Sequence, residues 1–296
     1  MTQQQTELIS SGHSMCAGCG IGIAVNLMGR AVPKDVIVVT ATSCLEVTTS
    51  AFPLSAWNVP WIHTAFENTS AVASGIEAAL KKQGKKTKIL AIAGDGGTYD
   101  IGFQAMSGMF ERGHKVTQIC VDNEAYMNTG IQRSGGTPHG AWTTTSPAGK
   151  VWLGKKQWKK PIVDIVAAHR VPYAATASVG YPMDFVAKMK KALENQPSFL
   201  VVHCCCPPGW KIDTSKGPKI TKLAVDTGIN PLYEIENGKL RITQPLKNRR
   251  PVSEYLKFQG RFKHLDDKHV KEIQEHTDKK CQELEAREKS GLKFFY

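Results

Sequence analysis

Residues 89–93 and 116–121 form two short, mainly apolar runs, the pattern of parallel strands buried on both faces. Between them, residues 103–110 set apolar side chains at helical spacing, and Gly113 follows where a C-terminal cap belongs. Together they predict one β-α-β unit, with Gly94-Asp95-Gly96 at the end of its first strand. The same pattern predicts strands over 36–40, 174–179 and 198–203 and helices over 24–30, 70–80, 162–169 and 184–193. The helix over 70–80 is rich in Ala and Gly, which suits close packing on a sheet. Residues 53–60 read as a loop in which Trp57, and Trp61 just beyond, look exposed. From residue 236 the chain turns to Lys, Glu and Arg with Pro245 and Pro251, then a charged helix over 265–288 and a Lys293-Phe-Phe-Tyr296 terminus. The expectation is an α/β protein with a doubly wound, mostly parallel sheet over 1–235. Residues 236–296 are expected to form a charged extension wrapping the core or a partner.

Composition narrows the class. A chain of 296 residues with 41% hydrophobic content can bury a full core. No run approaches the roughly 20 apolar residues of a membrane helix, and Met1-Thr-Gln-Gln-Gln-Thr-Glu7 lacks a basic-then-apolar signal. Eight cysteines without such a signal point to a reducing, cytoplasmic setting in which thiols serve metals or catalysis. The net charge of +12 is spread along the chain and follows no nucleic-acid-binding pattern. It predicts attraction to anionic partners: an acidic electron carrier, a phosphorylated cofactor or an acidic sister subunit.

The candidate chemistry lies at the strand ends. Glycines 94 and 96 let the backbone turn and approach a diphosphate. Asp95 offers a carboxylate to Mg²⁺, and Asn123, 28 residues on, offers an amide oxygen from the next strand's end. Asn128 is close enough in sequence to add a donor for phosphate. This spacing, with its Asn-Glu-Ala-Tyr-Met-Asn-Thr-Gly tail, resembles the diphosphate-binding motif of thiamine diphosphate enzymes. The Gly-, Thr- and Ser-rich stretch 132–145 is a long loop expected to cover the cofactor or line a substrate pocket.

A second set of residues gathers at the same sheet edge. Cys16 and Cys19 form a Cys-x-x-Cys turn before a helix, Cys44 follows the strand over 36–40, and Cys204, Cys205 and Cys206 follow the strand over 198–203. Four thiolates can hold structural zinc or a [4Fe–4S] cluster, and spacing alone leaves both open. Cys120 and Cys281 read as packing residues. His13, His63, Glu67, Asn68 and Arg133 carry no firm assignment; Glu67 and Asn68 suit a helix cap.

The motifs Gly12-His-Ser-Met-Cys16-Ala-Gly-Cys19-Gly, Ser43-Cys44, Gly94-Asp95-Gly96, residues 122–130, Cys206-Pro-Pro-Gly-Trp210 and Pro251-Val-Ser-Glu-Tyr-Leu…Gln259-Gly-Arg-Phe extend over nearly the whole chain. Together they resemble the β subunits of the pyruvate:ferredoxin oxidoreductases, in the 2-oxoacid:ferredoxin oxidoreductase family. The resemblance implies a thiamine diphosphate-binding fold. It implies Mg²⁺ on Asp95, Asn123 and the Ala125 carbonyl, with Gly94, Gly96, Tyr126 and Asn128 around the cofactor. It implies a [4Fe–4S] cluster on Cys16, Cys19, Cys44 and Cys206; Cys204 and Cys205 depart from the pattern, and Cys206 is chosen for its Pro-Pro-Gly-Trp context. The implied reaction is oxidative decarboxylation of a 2-oxoacid, pyruvate foremost, with coenzyme A taking the acyl group and ferredoxin the electrons. Branched-chain, aryl or oxalate substrates are the alternative, and a zinc-stabilised binding protein is the remote one. The chain has room for one cofactor module, so a pyrimidine-binding α subunit is expected to bring the catalytic glutamate. Ferredoxin-like γ and δ subunits are expected to bring further clusters.

Overall fold

A computed structural model describes residues 6–51, 53–149 and 153–295; Met1-Thr-Gln-Gln-Gln and Tyr296 lie outside them. In chain order the elements are α1 (Gly20–Gly29), β1 (Val36–Ala41), α2 (Cys44–Thr49), β2 (Trp61–Thr64), α3 (Thr69–Lys82), β3 (Lys88–Gly94), α4 (Phe103–Glu111) and β4 (Thr117–Asp122). There follow α5 (Ile162–Ala167), β5 (Tyr173–Ser178), α6 (Pro182–Glu194), β6 (Ser198–His203), α7 (Pro207–Trp210), α8 (Gly217–Asp226), β7 (Tyr233–Glu236), β8 (Lys239–Ile242), α9 (Ser253–Leu256) and α10 (Asp267–Ser290). The strands form one sheet in the order β2-β1-β3-β4-β6-β5-β7-β8. The first six are parallel, and β7 and β8 add an antiparallel edge.

Side-chain alternation explains the two faces. Leu90 and Ile92 of β3 point into a core shared with α1 and α6, whereas Ile89 and Ala91 point into one shared with α3, α4 and α5. Both faces are covered, so the central strands are apolar throughout, as an α/β doubly wound sheet requires. A third apolar cluster joins Trp210, Tyr255, Phe262 and Ile273, tying the C-terminal segment to the body beside Ala141.

Several details differ from the sequence expectation. Trp61 opens the edge strand β2, and neither tryptophan is exposed: their rings stack at 6.1 Å. Their indole N–H groups donate to Thr49 and Thr40 hydroxyls at 3.0 and 2.9 Å. The composition change at 236 falls at the last residue of β7, inside a hairpin whose Asn237-Gly238 turn has positive φ at both positions. Asn68 occupies the N-cap of α3 without a side-chain cap bond.

Topology places the site. After β1 the chain runs outward to β2, and after β3 it runs the other way to β4. The loops leaving β1 and β3 therefore diverge, opening a crevice at their carboxyl ends.

Candidate functional site

A pocket of about 300 Å³ fills that crevice. Thr42, Ser43 and Cys44 line it from the end of β1, Gly94, Asp95 and Gly96 from the end of β3, and residues 123 and 125–129 from the end of β4. All seven residues expected around the cofactor, Gly94, Asp95, Gly96, Asn123, Ala125, Tyr126 and Asn128, border this one space.

The Gly-Asp-Gly segment does not make the tight turn read from its sequence. Asp95 has helical φ and ψ of −60° and −42°, and the chain passes directly into a π-helical turn, Gly96–Ile101. Gly96 is required for another reason: a Cβ there would lie 2.4 Å from the Tyr126 ring. At Gly94 a Cβ would meet nothing within 4 Å, so the glycine leaves this wall open. The π turn, a rare element common at functional sites, also sends Asp100 to accept from the Tyr126 hydroxyl at 3.1 Å and Tyr99 to donate to Asp122 at 3.0 Å.

Three oxygen-bearing groups converge at the pocket floor. One terminal atom of the Asn123 amide lies 2.9 Å from the Ala125 carbonyl oxygen and 3.0 Å from Asp95 Oδ1. With NH₂ there, both contacts are hydrogen bonds; with oxygen there, three oxygens face one another. Neighbouring ligands of octahedral Mg²⁺, at 2.0–2.1 Å from the metal, stand about 2.9 Å apart. The spacing therefore fits the edges of such a shell, and Asp95, Asn123 and Ala125 could hold the cation. Burial, and then the nearby Asp122, push the Asp95 carboxyl well above its usual range, against a lowering bond from Ser134. A divalent cation would reverse that preference.

Buried charge braces the loop carrying Asn123. Asp122 pairs with Lys159 at 2.6 Å; Glu124 meets Arg261 at 2.5 Å, Lys159 at 3.2 Å and His203 at 3.3 Å. Burial alone would raise the Glu124 carboxyl, but Lys159, Arg261 and His203 outweigh it and hold it well below the carboxylate range. Glu124 has φ of +73°, a conformation that these partners hold in place. None of these three partners, Lys159, Arg261 and His203, was given this role from the sequence, although Arg261 lies in the quoted Gln259-Gly-Arg-Phe motif; the available signal was two acids flanking Asn123 at the end of an apolar strand.

The cysteines adjoin this floor. Cys19 caps α1, Cys44 begins α2 and Cys206 precedes α7; Cys16 sits one turn before Cys19. Cys16, Cys19, Cys44 and Cys206 each lie within electrostatic reach of the other three. Burial, then the neighbouring Cys206 and Cys19, push the Cys44 thiol up to about 12, and burial takes Cys206 to about 11. Backbone N–H groups of Ile21 and Gly22 favour the Cys19 thiolate, and that of Gly209 favours the Cys206 thiolate. Cationic metal would have to draw the protons off such a set, as it does in thiolate-bound centres. Among the described residues no three His, Cys, Asp or Glu side chains, these thiols included, already stand at the spacing that holds a single ion. Cys204 and Cys205 are fully buried and donate to the Val202 and Gly18 carbonyls, whereas Cys206 is half-buried.

Two bonds lock the groups together. Trp210 Nε1 donates to the Asn123 carbonyl at 2.9 Å, and Cys204 N donates to Asp122 O at 2.9 Å. Cys44 itself lines the pocket that holds Asp95. His13, His63 and Arg133 are not pocket residues; His63 contacts Thr42 and Glu46, and Arg133 is exposed.

This fold and crevice define a cofactor-binding α/β module, and comparison with known proteins agrees. Residues 41–204, more than half of the chain, match the family model for the thiamine pyrophosphate enzyme C-terminal TPP-binding domain. Pyruvate synthase subunit PorB of Methanocaldococcus jannaschii is 53% identical, covering 94% of this chain and 96% of that protein. Ketoisovalerate oxidoreductase subunit VorB of Pyrococcus horikoshii is 49% identical, covering 89% and 88%. A solved 2-oxoglutarate:ferredoxin oxidoreductase from Magnetococcus marinus shares the fold at a TM-score of 0.58 and 18% identity, covering 73% of this chain and 79% of that one. The chain belongs to the β-subunit family of the 2-oxoacid:ferredoxin oxidoreductases, the family of PorB. Among the described residues no helix is long and apolar enough to cross a membrane.

Proposed function

We propose that the chain is the β subunit of a pyruvate:ferredoxin oxidoreductase, holding thiamine diphosphate, Mg²⁺ and one [4Fe–4S] cluster side by side. The observation carrying this is that one cavity is bounded by Asp95, Asn123 and Ala125 and also by Cys44. When bound, thiamine diphosphate supplies an electron sink for the carbon skeleton that loses CO₂, and the cluster supplies a one-electron acceptor.

The chain's own residues do the rest. Asp95, Asn123 and the Ala125 carbonyl hold Mg²⁺ against the diphosphate, and Asn128 at the pocket mouth donates to it. Ile21, Phe66, Tyr126 and Met127 form apolar walls that keep water from the reacting end. Cys16, Cys19, Cys44 and Cys206 ligate iron, and Trp210 fixes their spacing from the Mg²⁺ loop. A partner α subunit brings the pyrimidine-binding half and its glutamate. Ferredoxin-like γ and δ subunits carry electrons to ferredoxin, and coenzyme A accepts the acyl group in the cytoplasm. The eight-stranded sheet, through β8, acts as the cofactor domain, so the division expected at 235 moves past the β7–β8 hairpin, and the segment after it packs on the body through Tyr255, Phe262 and Ile273.

A second reading keeps the chemistry and changes the 2-oxoacid; similarity to VorB at 49%, close to the 53% to PorB, supports it. The test is purification of the assembled enzyme, with iron and sulfide analysis and 2-oxoacid profiling against coenzyme A and a low-potential acceptor. Highest kcat/KM for pyruvate is the expected result. Preference for a branched-chain acid transfers the assignment, and stoichiometric zinc without sulfide defeats both readings.

A further inference from the structure

The loop following the Asn123 segment contains a Ser-Gly-Gly-Thr turn, residues 134–137, within the stretch expected from its composition to cover the cofactor or line a substrate pocket. In the structure all four residues are buried. Ser134 Oγ makes a short hydrogen bond to Asp95 Oδ2 and accepts from Gly136 N at 3.0 Å. A Cβ on Gly136 would stand 3.0 Å from Asp95 Cβ and 3.2 Å from Asp122 Oδ1, so the turn rests directly on the two carboxylates. Asp95 Oδ1, the other oxygen, is the one that faces Asn123. The two oxygens of one carboxylate thus have separate partners.

The turn is fastened on every side. Thr137 Oγ1 donates to the Glu124 carbonyl at 2.7 Å and accepts from Ser134 N at 3.0 Å. Gly135 N donates to Asp100 at 2.8 Å. From behind, the amine of Lys155, 2% exposed, donates to the Gly135 and Thr137 carbonyls at 3.2 and 2.5 Å. Among the described residues the Lys155 amine bonds no carboxylate; it holds two backbone carbonyls instead.

We propose that Ser134 is a positioning residue for the divalent cation, engaging one Asp95 oxygen so that the other alone is presented to the metal, with Lys155 holding the turn in place. The inference rests on Asp95 being a Mg²⁺ ligand. Mg²⁺ demands near-ideal octahedral geometry, so a carboxylate free to rotate or to bind through both oxygens is a poorer ligand. Outer hydrogen-bond partners of metal ligands typically contribute about 10–100-fold in affinity.

The test uses the assembled enzyme stripped of metal, titrated with Mn²⁺ in the presence of thiamine diphosphate, with free Mn²⁺ read by electron paramagnetic resonance. Ser134→Ala should raise the Mn²⁺ Kd about tenfold or more, with iron and sulfide content unchanged. Ser134→Thr and Ser134→Val have nearly the same shape and differ in the hydroxyl; the threonine variant should bind Mn²⁺ more tightly by a similar factor. That pair decides the matter should the alanine variant fail to assemble. Lys155→Met should weaken binding in the same direction. Wild-type Mn²⁺ affinity in Ser134→Ala, or equal affinity in the Thr and Val variants, overturns the proposal. Asp95→Asn in parallel separates the two claims. Loss of Mn²⁺ there, with none in Ser134→Ala, sinks the inference alone; wild-type binding in Asp95→Asn sinks the metal assignment itself.

Discussion

Replacing Arg261 by methionine tests whether buried charge holds the Asn123 loop. Arg261 is 2% exposed; its guanidinium lies 2.5 Å from Glu124 and stacks over Trp210, 4.3 Å from the ring centre. Methionine fills much of the same space without the charge. Breaking a buried pair by removing one partner costs about 3–5 kcal/mol, because the remaining charge is stranded. Glu124 keeps Lys159 and His203, which places the expected cost at the lower end, about 3–4 kcal/mol. Hydrogen exchange on the assembled enzyme reads this locally, at peptides over 117–128 and 198–210, where Cys204 N bonds Asp122 O and Trp210 bonds Asn123 O. At 1.36 kcal/mol per decade, exchange there should quicken by about two to three orders of magnitude. The double variant Glu124→Gln with Arg261→Met should recover much of the loss, since no orphan charge remains. Exchange within about fivefold of wild type in the single variant, under 1 kcal/mol, would refute the bracing role.

Three further outcomes follow from the same geometry. Cys44→Ser should leave thiamine diphosphate retention intact while iron content falls and acceptor reduction slows; normal electron transfer refutes Cys44 as a ligand. Gly96→Ala should displace the Tyr126 ring, 2.4 Å from the new methyl, and weaken cofactor retention measured after gel filtration; unchanged retention removes Tyr126 from the pocket wall. Glu124 titrates below its ordinary value, so its contribution to stability is fully present above pH 4.5 and is lost as pH falls toward the depressed folded value. Unfolding monitored from pH 6 to 3 should show a smaller acid sensitivity in Glu124→Gln than in wild type.

The parts legible in the sequence were those fixed by local pattern. β3 and β4 are covered on both faces, so their apolar runs could hardly be anything else, and the Gly-Asp-Gly at the end of β3 followed from that placement. β2 was missed because a four-residue edge strand of Trp, Ile, His and Thr has no apolar run, and its tryptophan, Trp61, is held by the Thr40 hydroxyl brought from β1. The β7–β8 hairpin carried the strongest short-range signal of all, Asn237-Gly238, yet Glu234 amid three cationic or hydroxyl partners disguised the strand as charged surface. The π turn and the Ser134 turn were not legible because each is held by contacts distant in sequence: Gly96 by Tyr126, Ser134 by Asp95. A glycine-rich loop looks mobile until the acids and the lysine that fasten it are known.

The most direct test of the account is anomalous diffraction at the iron edge from crystals of the assembled enzyme grown with thiamine diphosphate and Mg²⁺. The prediction is iron density enclosed by Cys16, Cys19, Cys44 and Cys206, and diphosphate density against Asp95, Asn123 and Ala125, on the two sides of the Cys44-lined pocket. Iron absent from those thiols, or a diphosphate seated away from Asp95, would contradict it.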